Sequence, residues 1–146
     1  MSATNAWETA LLALMFNNTN AANVGDATGL RGSTTAGVFY ISLHTGDPGE
    51  AGAQNTTEAT YTSYARVSVA RTSGGWTVSG NAVTNTAVIN FPAATGGTST
   101  ITHFGIGTDV SGVGNLLFKG ALSSSLAVSN GITPSFAAGA LSITAD

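Results

Sequence analysis

The stretch Phe39-Tyr40-Ile41-Ser42-Leu43-His44 decides how the chain is read. Phe39, Ile41 and Leu43 alternate with Tyr40, Ser42 and His44, the period of two that sends successive side chains to opposite faces of a β-strand. The run ends in Thr45-Gly46-Asp47-Pro48-Gly49, a cluster of turn formers. Downstream, Val67 and Val69 alternate with Arg66 and Ser68. Short segments rich in Val, Ile, Thr and Phe then recur at 82–91, 100–106, 116–122, 126–129, 132–136 and 140–144. Gly74-Gly75, Gly80-Asn81 and Asn130-Gly131 offer backbone that accepts positive φ, as tight antiparallel hairpins require. No helical period survives beyond residue 37, and no internal repeat is evident. The pattern predicts an all-β fold, an antiparallel β-sandwich or jelly-roll-like barrel, over residues 37–146.

Upstream, Ala6 to Phe16 predicts a short N-terminal helix, capped by Asn5 with Glu8 three positions on. Trp7, Leu11, Leu14 and Met15 fall at i, i+4, i+7 and i+8, one apolar stripe that either covers the chain's own β core or docks a neighbouring subunit. Asn17 to Gly37 has no sustained period and predicts an extended arm, lying on a partner or on the domain itself. Residues 1–36 are thus expected to form a helix and arm in front of a β domain. Trp7, Leu11, Leu14, Met15 and Arg31 are the candidate subunit contacts.

Only 8% of the 146 residues are charged, against about 25% in an ordinary soluble domain. The surface must be built from Thr, Ser, Asn, Gly and Ala, which lose little rotamer freedom and need no desolvation of charge when a neighbour covers them. Such a coat suits a subunit of an assembly. The four basic residues form no cluster, so nucleic acid is not an expected partner. No run approaches the roughly 18 apolar residues of a membrane span, and no secretory signal pattern is present. With no cysteine, disulfides and thiolate metal sites are excluded.

A search for chemistry finds no nucleophile paired with a base and no acidic pair in a recognisable pocket. His44 reads as a hydrogen-bonded residue at a strand end, and His103 as a residue facing solvent or a subunit. Neither His44 with Asp47 and His103 for zinc, nor Asp47, Glu50 and Glu58 for calcium, has the spacing of a metal site. The glycines at 105, 107, 112 and 114 make no phosphate-binding motif. No cofactor and no enzymatic activity are therefore expected. Trp76, Phe91, Phe104, Phe118 and Phe136 sit on separate predicted strands, as a shared core would have them. A sugar-binding platform of Trp76 with Tyr61 and Tyr64 is the rival reading.

Several segments in order carry a resemblance: Tyr40 to Glu50, Tyr64-Ala65-Arg66-Val67, Asn90-Phe91-Pro92-Ala93-Ala94, Ile101 to Ile106, and Pro134 to Leu141. Together they resemble a family of small tailed-bacteriophage virion proteins, whose members are described variously as structural, tail-fibre or capsid decoration proteins. The resemblance covers residues 37–146 and implies a structural role on the particle, with no catalytic residues to carry over. The leading expectation is a capsid decoration (cement) protein, a homotrimer on the capsid exterior that bridges major capsid protein subunits. Small size, weak charge and an arm able to reach along a shell motivate it. The alternative is a tail-tip or tail-fibre-associated protein contacting the host surface, with a host glycan as possible ligand.

Overall fold

A computed structural model describes residues 3–22, 24–25, 29 and 32–145. Among them are one helix, α1 (Asn5–Asn17), and nine strands: β1 (Val38–His44), β2 (Val67–Ala70), β3 (Trp76–Ser79), β4 (Ala82–Asn85), β5 (Ile89–Asn90), β6 (Ser99–Gly107), β7 (Leu116–Val128), β8 (Ser135–Phe136) and β9 (Ser142–Thr144). A four-stranded sheet runs β2-β1-β6-β7, a three-stranded sheet β3-β4-β9, and a two-stranded ladder β5-β8. The fold is mostly β with antiparallel pairing and a short N-terminal helix, as the alternation predicts. Two compact units make up the chain. One comprises Met1–Val38, Ala70–Ile89 and Phe136–Asp146; the other comprises Phe39–Val69 and Asn90–Ser135.

In the first unit α1 packs on β3 and β4. Its buried line is Glu8, Leu12 and Phe16, spaced i, i+4, i+8, and Phe16 meets the fully buried Trp76 edge to face at 4.9 Å. Thr4, not Asn5, stands at the N-cap; it makes no side-chain cap, and its carbonyl accepts the amides of Trp7 and Glu8. The expected capping box therefore does not form, because Glu8 is drawn into the buried face. At the other end Asn18 takes the left-handed conformation, which Asn tolerates, and the helix stops. Arg71 then satisfies the carbonyls that every helix end leaves over: Nε donates to Met15 O at 2.5 Å and Nη2 to Leu14 O at 3.0 Å, while Nη1 reaches Ala36 O at 3.0 Å.

The described residues after α1 turn back on it. Asn18 Nδ2 donates to Ser33 O at 2.8 Å, Ser33 N to Asn18 Oδ1 at 2.6 Å, and Gly32 N to Asn20 Oδ1 at 3.0 Å. The β3-β4 hairpin closes at Gly80-Asn81 with Gly80 at φ +59°, the first central position of a two-residue turn. Gly74 and Gly75, by contrast, are not at positive φ; they lie in a turn whose amides, Gly75 N and Trp76 N, return to Thr72 O. A single buried amide fastens the last turn of the unit. Asn85 Nδ2 donates to Ala87 O and Ala137 O, both at 2.8 Å, and its Oδ1 accepts Leu141 N at 2.9 Å.

The second unit is built on β1 and β6, paired from Tyr40↔Gly107 to His44↔His103. Ile41, Leu43, Ile101, Ile106 and Phe104 are buried here with Tyr61, Phe91 and Val128. Alternation in β1 implies one wet face, yet Ser42 and His44 are 0% exposed. Glycine explains the difference. Gly105 and Gly107 stand opposite Ser42 and Tyr40, and a Cβ at Gly107 would lie 2.3 Å from the Gln54 side chain. Bare backbone at Gly107 leaves room for the Gln54 side chain, and at Gly105 for the side chains of Ser42, His44 and Leu116, so this face is covered. β7 carries both predicted segments, 116–122 and 126–129, joined where its register against β6 shifts between Ile101↔Leu126 and His103↔Ala121. Asn130-Gly131 makes a turn, with Gly131 at φ +87°, but β8 pairs with β5 and not with β7.

Candidate functional site

The loop between β6 and β7 is fastened to the second unit by several buried side chains. Arg66, 7% exposed, lies under it. Its guanidinium forks onto Glu58, Nε to Oε1 at 2.6 Å and Nη2 to Oε2 at 2.8 Å, and spends its other donors on the loop: Nη1 on Asp109 O at 2.8 Å and Nη2 on Gly112 O at 2.6 Å. Bidentate geometry of this kind is the strong form of an Arg–carboxylate bond. Tyr64 completes the group, donating to Glu58 Oε1 at 2.9 Å and accepting Leu43 N at 3.0 Å. Burial pushes the Tyr64 phenol far above its ordinary range, so it remains a donor at every physiological pH.

Gln54, fully buried, ties the loop from the other side: Oε1 accepts Asp109 N at 3.2 Å and Nε2 donates to Tyr40 O at 3.0 Å. Thr108 N donates to Asn115 O across the base of the loop. At the tip, Val110 and Val113 are 61% and 65% exposed. An exposed loop of glycine, serine and valine would ordinarily fray, and this one is held by a buried arginine, itself paired with the half-buried Glu58, and by a buried amide. Its arrangement is that of a rigid, apolar-tipped projection.

Beside it Gly49, Glu50, Gly52 and residues 116–119 line a cleft of about 240 Å³. Lys119 bridges Asp47 and Glu50, each at 3.1 Å, across an exposed surface. The amide of Gly49 and then the Lys119 ammonium hold the Asp47 carboxyl below its usual range. These carboxylates and Glu58 are thus engaged with cations of the chain itself. Among the described residues no group of three or more His, Asp or Glu is placed to hold a metal.

Ser42 and His44 come together as a nucleophile–base pair would, with Oγ to Nε2 at 2.8 Å and Nδ1 donating to Thr56 O at 2.7 Å. The pair is sealed. Both residues are 0% exposed, and a Cβ on Gly105 would sit 2.6 Å from the Ser42 oxygen. Burial, opposed by the Thr56 carbonyl and Glu58, lowers the His44 pKa and keeps the ring neutral. His44 is thus a hydrogen-bonded residue at the end of β1. Between its partner Thr56 and the Arg66 partner Glu58 stands Thr57 at φ +52°, a strained position for a β-branched residue, held from both sides.

The predicted contact residues Trp7, Leu11, Leu14 and Met15 are half-buried on α1, outside its fully buried line. Arg31 lies outside the described residues. His103 is half-buried, its Nδ1 2.9 Å from Thr102 Oγ1. The sugar platform does not form: Trp76 and Tyr61 are 0% and 2% exposed, Trp76 belongs to the other compact unit, and Tyr61 donates to Pro92 O at 3.1 Å. Tyr61 and Tyr64 instead pack edge to face within the core, Tyr64 stacking on Phe91. Sequence reasoning missed Gln54, the Glu58–Arg66 pair, Arg71 and Asn85. The glycines opposite β1 were the one available signal for the first of these.

A small antiparallel β protein that spends its buried polar groups on holding backbone, and projects a stiff loop from one unit, has the build of a structural module. A family model described as "Podophage GP4 fiber I protein gp80" matches residues 2–144. The chain belongs to that family of phage fibre proteins and is a virion-associated structural protein. No curated protein matches the chain.

Proposed function

We propose that the chain is a tail-fibre-associated, non-enzymatic component of the virion that contacts the host surface through the loop between β6 and β7. The observation that carries this reading is the pairing of an apolar, exposed tip at Val110 and Val113 with a buried Arg66–Glu58 clamp beneath it. Binding loops gain affinity when their ordering cost is met in advance by the scaffold, which is what the clamp provides. The family's fibre description supports the tail over the capsid exterior, so the adhesive alternative takes precedence over the decoration role that the resemblance, small size and weak charge had put first. Neighbouring virion subunits and further copies of the chain are the proposed partners. Trp7, Leu11, Leu14 and Met15, half-exposed on α1, are the proposed contacts with the particle.

The test is a phage carrying Val110→Ser and Val113→Ser together. Virions should assemble normally and adsorb to cells about tenfold more slowly, the loss expected from one or two valine contacts. Unchanged adsorption would refute the reading. Weakened heads with normal adsorption, after removal of the whole chain, would return the role to the capsid.

A further inference from the structure

β7 is an edge strand of the four-stranded sheet, the position where a row of backbone groups is open to pairing with another chain. Edges are normally guarded by charge, proline or a covering segment. At the start of β7 there is such a guard: residues 116–119 share a cleft with the turn at Gly49, Glu50 and Gly52, and Lys119 ties that turn down. Beyond Lys119 the guard ends. From Gly120 to Val128 the strand has no charge and no proline, and Ser123 to Ala127 are all exposed, Leu126 at 36%.

The sequence of this bare segment is symmetric. Ala121-Leu122-Ser123-Ser124-Ser125-Leu126-Ala127 reads the same in both directions about Ser124. Antiparallel pairing of two copies about a two-fold axis turns that symmetry into contacts of like with like. With Ser124 on the axis, Ala121 faces Ala127, Leu122 faces Leu126 and Ser123 faces Ser125 of the second copy, so like meets like at every step. By the register, Ala121 and Leu126 stand opposite His103 and Ile101 and so share a face of the sheet, the irregular stretch between them reversing the alternation; what the axis at Ser124 offers is like against like at each step. The only charge in the strand, Lys119, falls outside the paired segment and is already engaged by Asp47 and Glu50.

The register of β7 against β6 favours an outside partner as well. Leu122 to Ser125 stand opposite Thr102 alone, between the pairs Ile101↔Leu126 and His103↔Ala121. Those four residues have no ladder partner on β6. A bulge can guard an edge by twisting it away, but this one coincides with the centre of the palindrome.

We propose that the outer edge of β7 pairs antiparallel with β7 of a second copy of the chain, about a two-fold axis at Ser124. The contact makes a dimer, in place of the homotrimer that the decoration reading carried. One strand pair is smaller than a standard interface of roughly 1,600 Å². It is therefore weak between free molecules and strengthened where copies are held side by side on a particle. Nothing in it depends on whether that particle site is the tail or the head.

The absence of cysteine makes the test clean. Directly opposed residues have Cβ atoms about 5 Å apart, close to disulfide reach, whereas diagonal neighbours stand at about 7 Å. Single variants Ser124→Cys, Ser123→Cys and Ser125→Cys, with exposed Ser73→Cys as control, are oxidised by air with a copper catalyst and followed on non-reducing gels. Ser124→Cys should cross-link about tenfold faster than the control. Ser123→Cys mixed with Ser125→Cys should exceed either alone, and Leu126→Asp added to Ser124→Cys should slow it. Circular dichroism checks that each variant is folded. Cross-linking of Ser124→Cys at the control rate, or no advantage of the mixed pair, would overturn the proposal.

Discussion

Replacing Arg66 with methionine removes four charge-assisted hydrogen bonds at once, two to Glu58 and one each to Asp109 O and Gly112 O. Methionine fills much of the volume, so the loss is electrostatic more than steric. The Glu58 side chain is only 17% exposed and would be left without its counter-ion. Stranding one partner of a buried pair costs about 3–5 kcal/mol. In a chain of 146 residues a loss near 4 kcal/mol lowers Tm by about 10 °C and takes a large part of a total stability of about 5–15 kcal/mol. The second half of the cycle, Glu58→Gln with Arg66→Met, removes both charges. That double variant should recover about half of the loss, since what is then missing is hydrogen bonding and not compensation of a buried charge. Urea denaturation reads the stability, and hydrogen exchange at residues 109–115 reads the loop, which should lose protection in both variants. A single variant within about 1 kcal/mol of the parent, or a loop whose exchange is unchanged, would refute the clamp.

Asn85→Ala removes the two donors and one acceptor that hold Ala87, Ala137 and Leu141, and should cost about 3 kcal/mol in denaturant titrations, the penalty for buried backbone groups left unpaired. The depressed pKa of His44 sets the sign of an acid response. Because the unfolded ring takes up a proton near pH 6.5 and the folded ring only below that, stability is full above about pH 6.5 and declines as pH falls toward 5. The Asp47 carboxyl, whose folded pKa is also lowered, adds its loss only in the lower range of ordinary carboxylates. His44→Asn should flatten the denaturation midpoint between pH 7 and 5, and a slope equal to the parent's would contradict the assignment. Thr57→Gly relieves the left-handed backbone at φ +52° but loses the hydrogen bond from Thr57 Oγ1 to Gly46 O at 2.9 Å, so stability should change by less than about 1 kcal/mol in the same titration.

How much of this was legible depended on whether a feature was periodic. The period of two in 39–44 named β1, and valine- and isoleucine-rich segments between turn residues located β4, β6 and β7, because burial of one face imposes that pattern directly. The helix was found to within a residue at each end, yet its buried line was not, since Glu8 was read as a capping residue and its alignment with Leu12 and Phe16 was passed over. The site was largely illegible. Arg66, Gln54 and Asn85 act through backbone carbonyls and amides far away in the chain, and such bonds leave no spacing rule behind. Gly105 and Gly107 sit within β6 as points of close approach; which side chains approach them there is a tertiary requirement that spacing does not reveal. The aromatic trio failed for the same reason, as nothing local distinguishes a core tyrosine from a platform tyrosine.

The central proposal is that this member of a phage fibre family works at the particle's host-facing end. Electron microscopy of intact virions labelled with a gold-conjugated antibody against the folded protein tests it most directly. Gold concentrated at the tail is the expected result; gold spread over the head, with the tail bare, would contradict it.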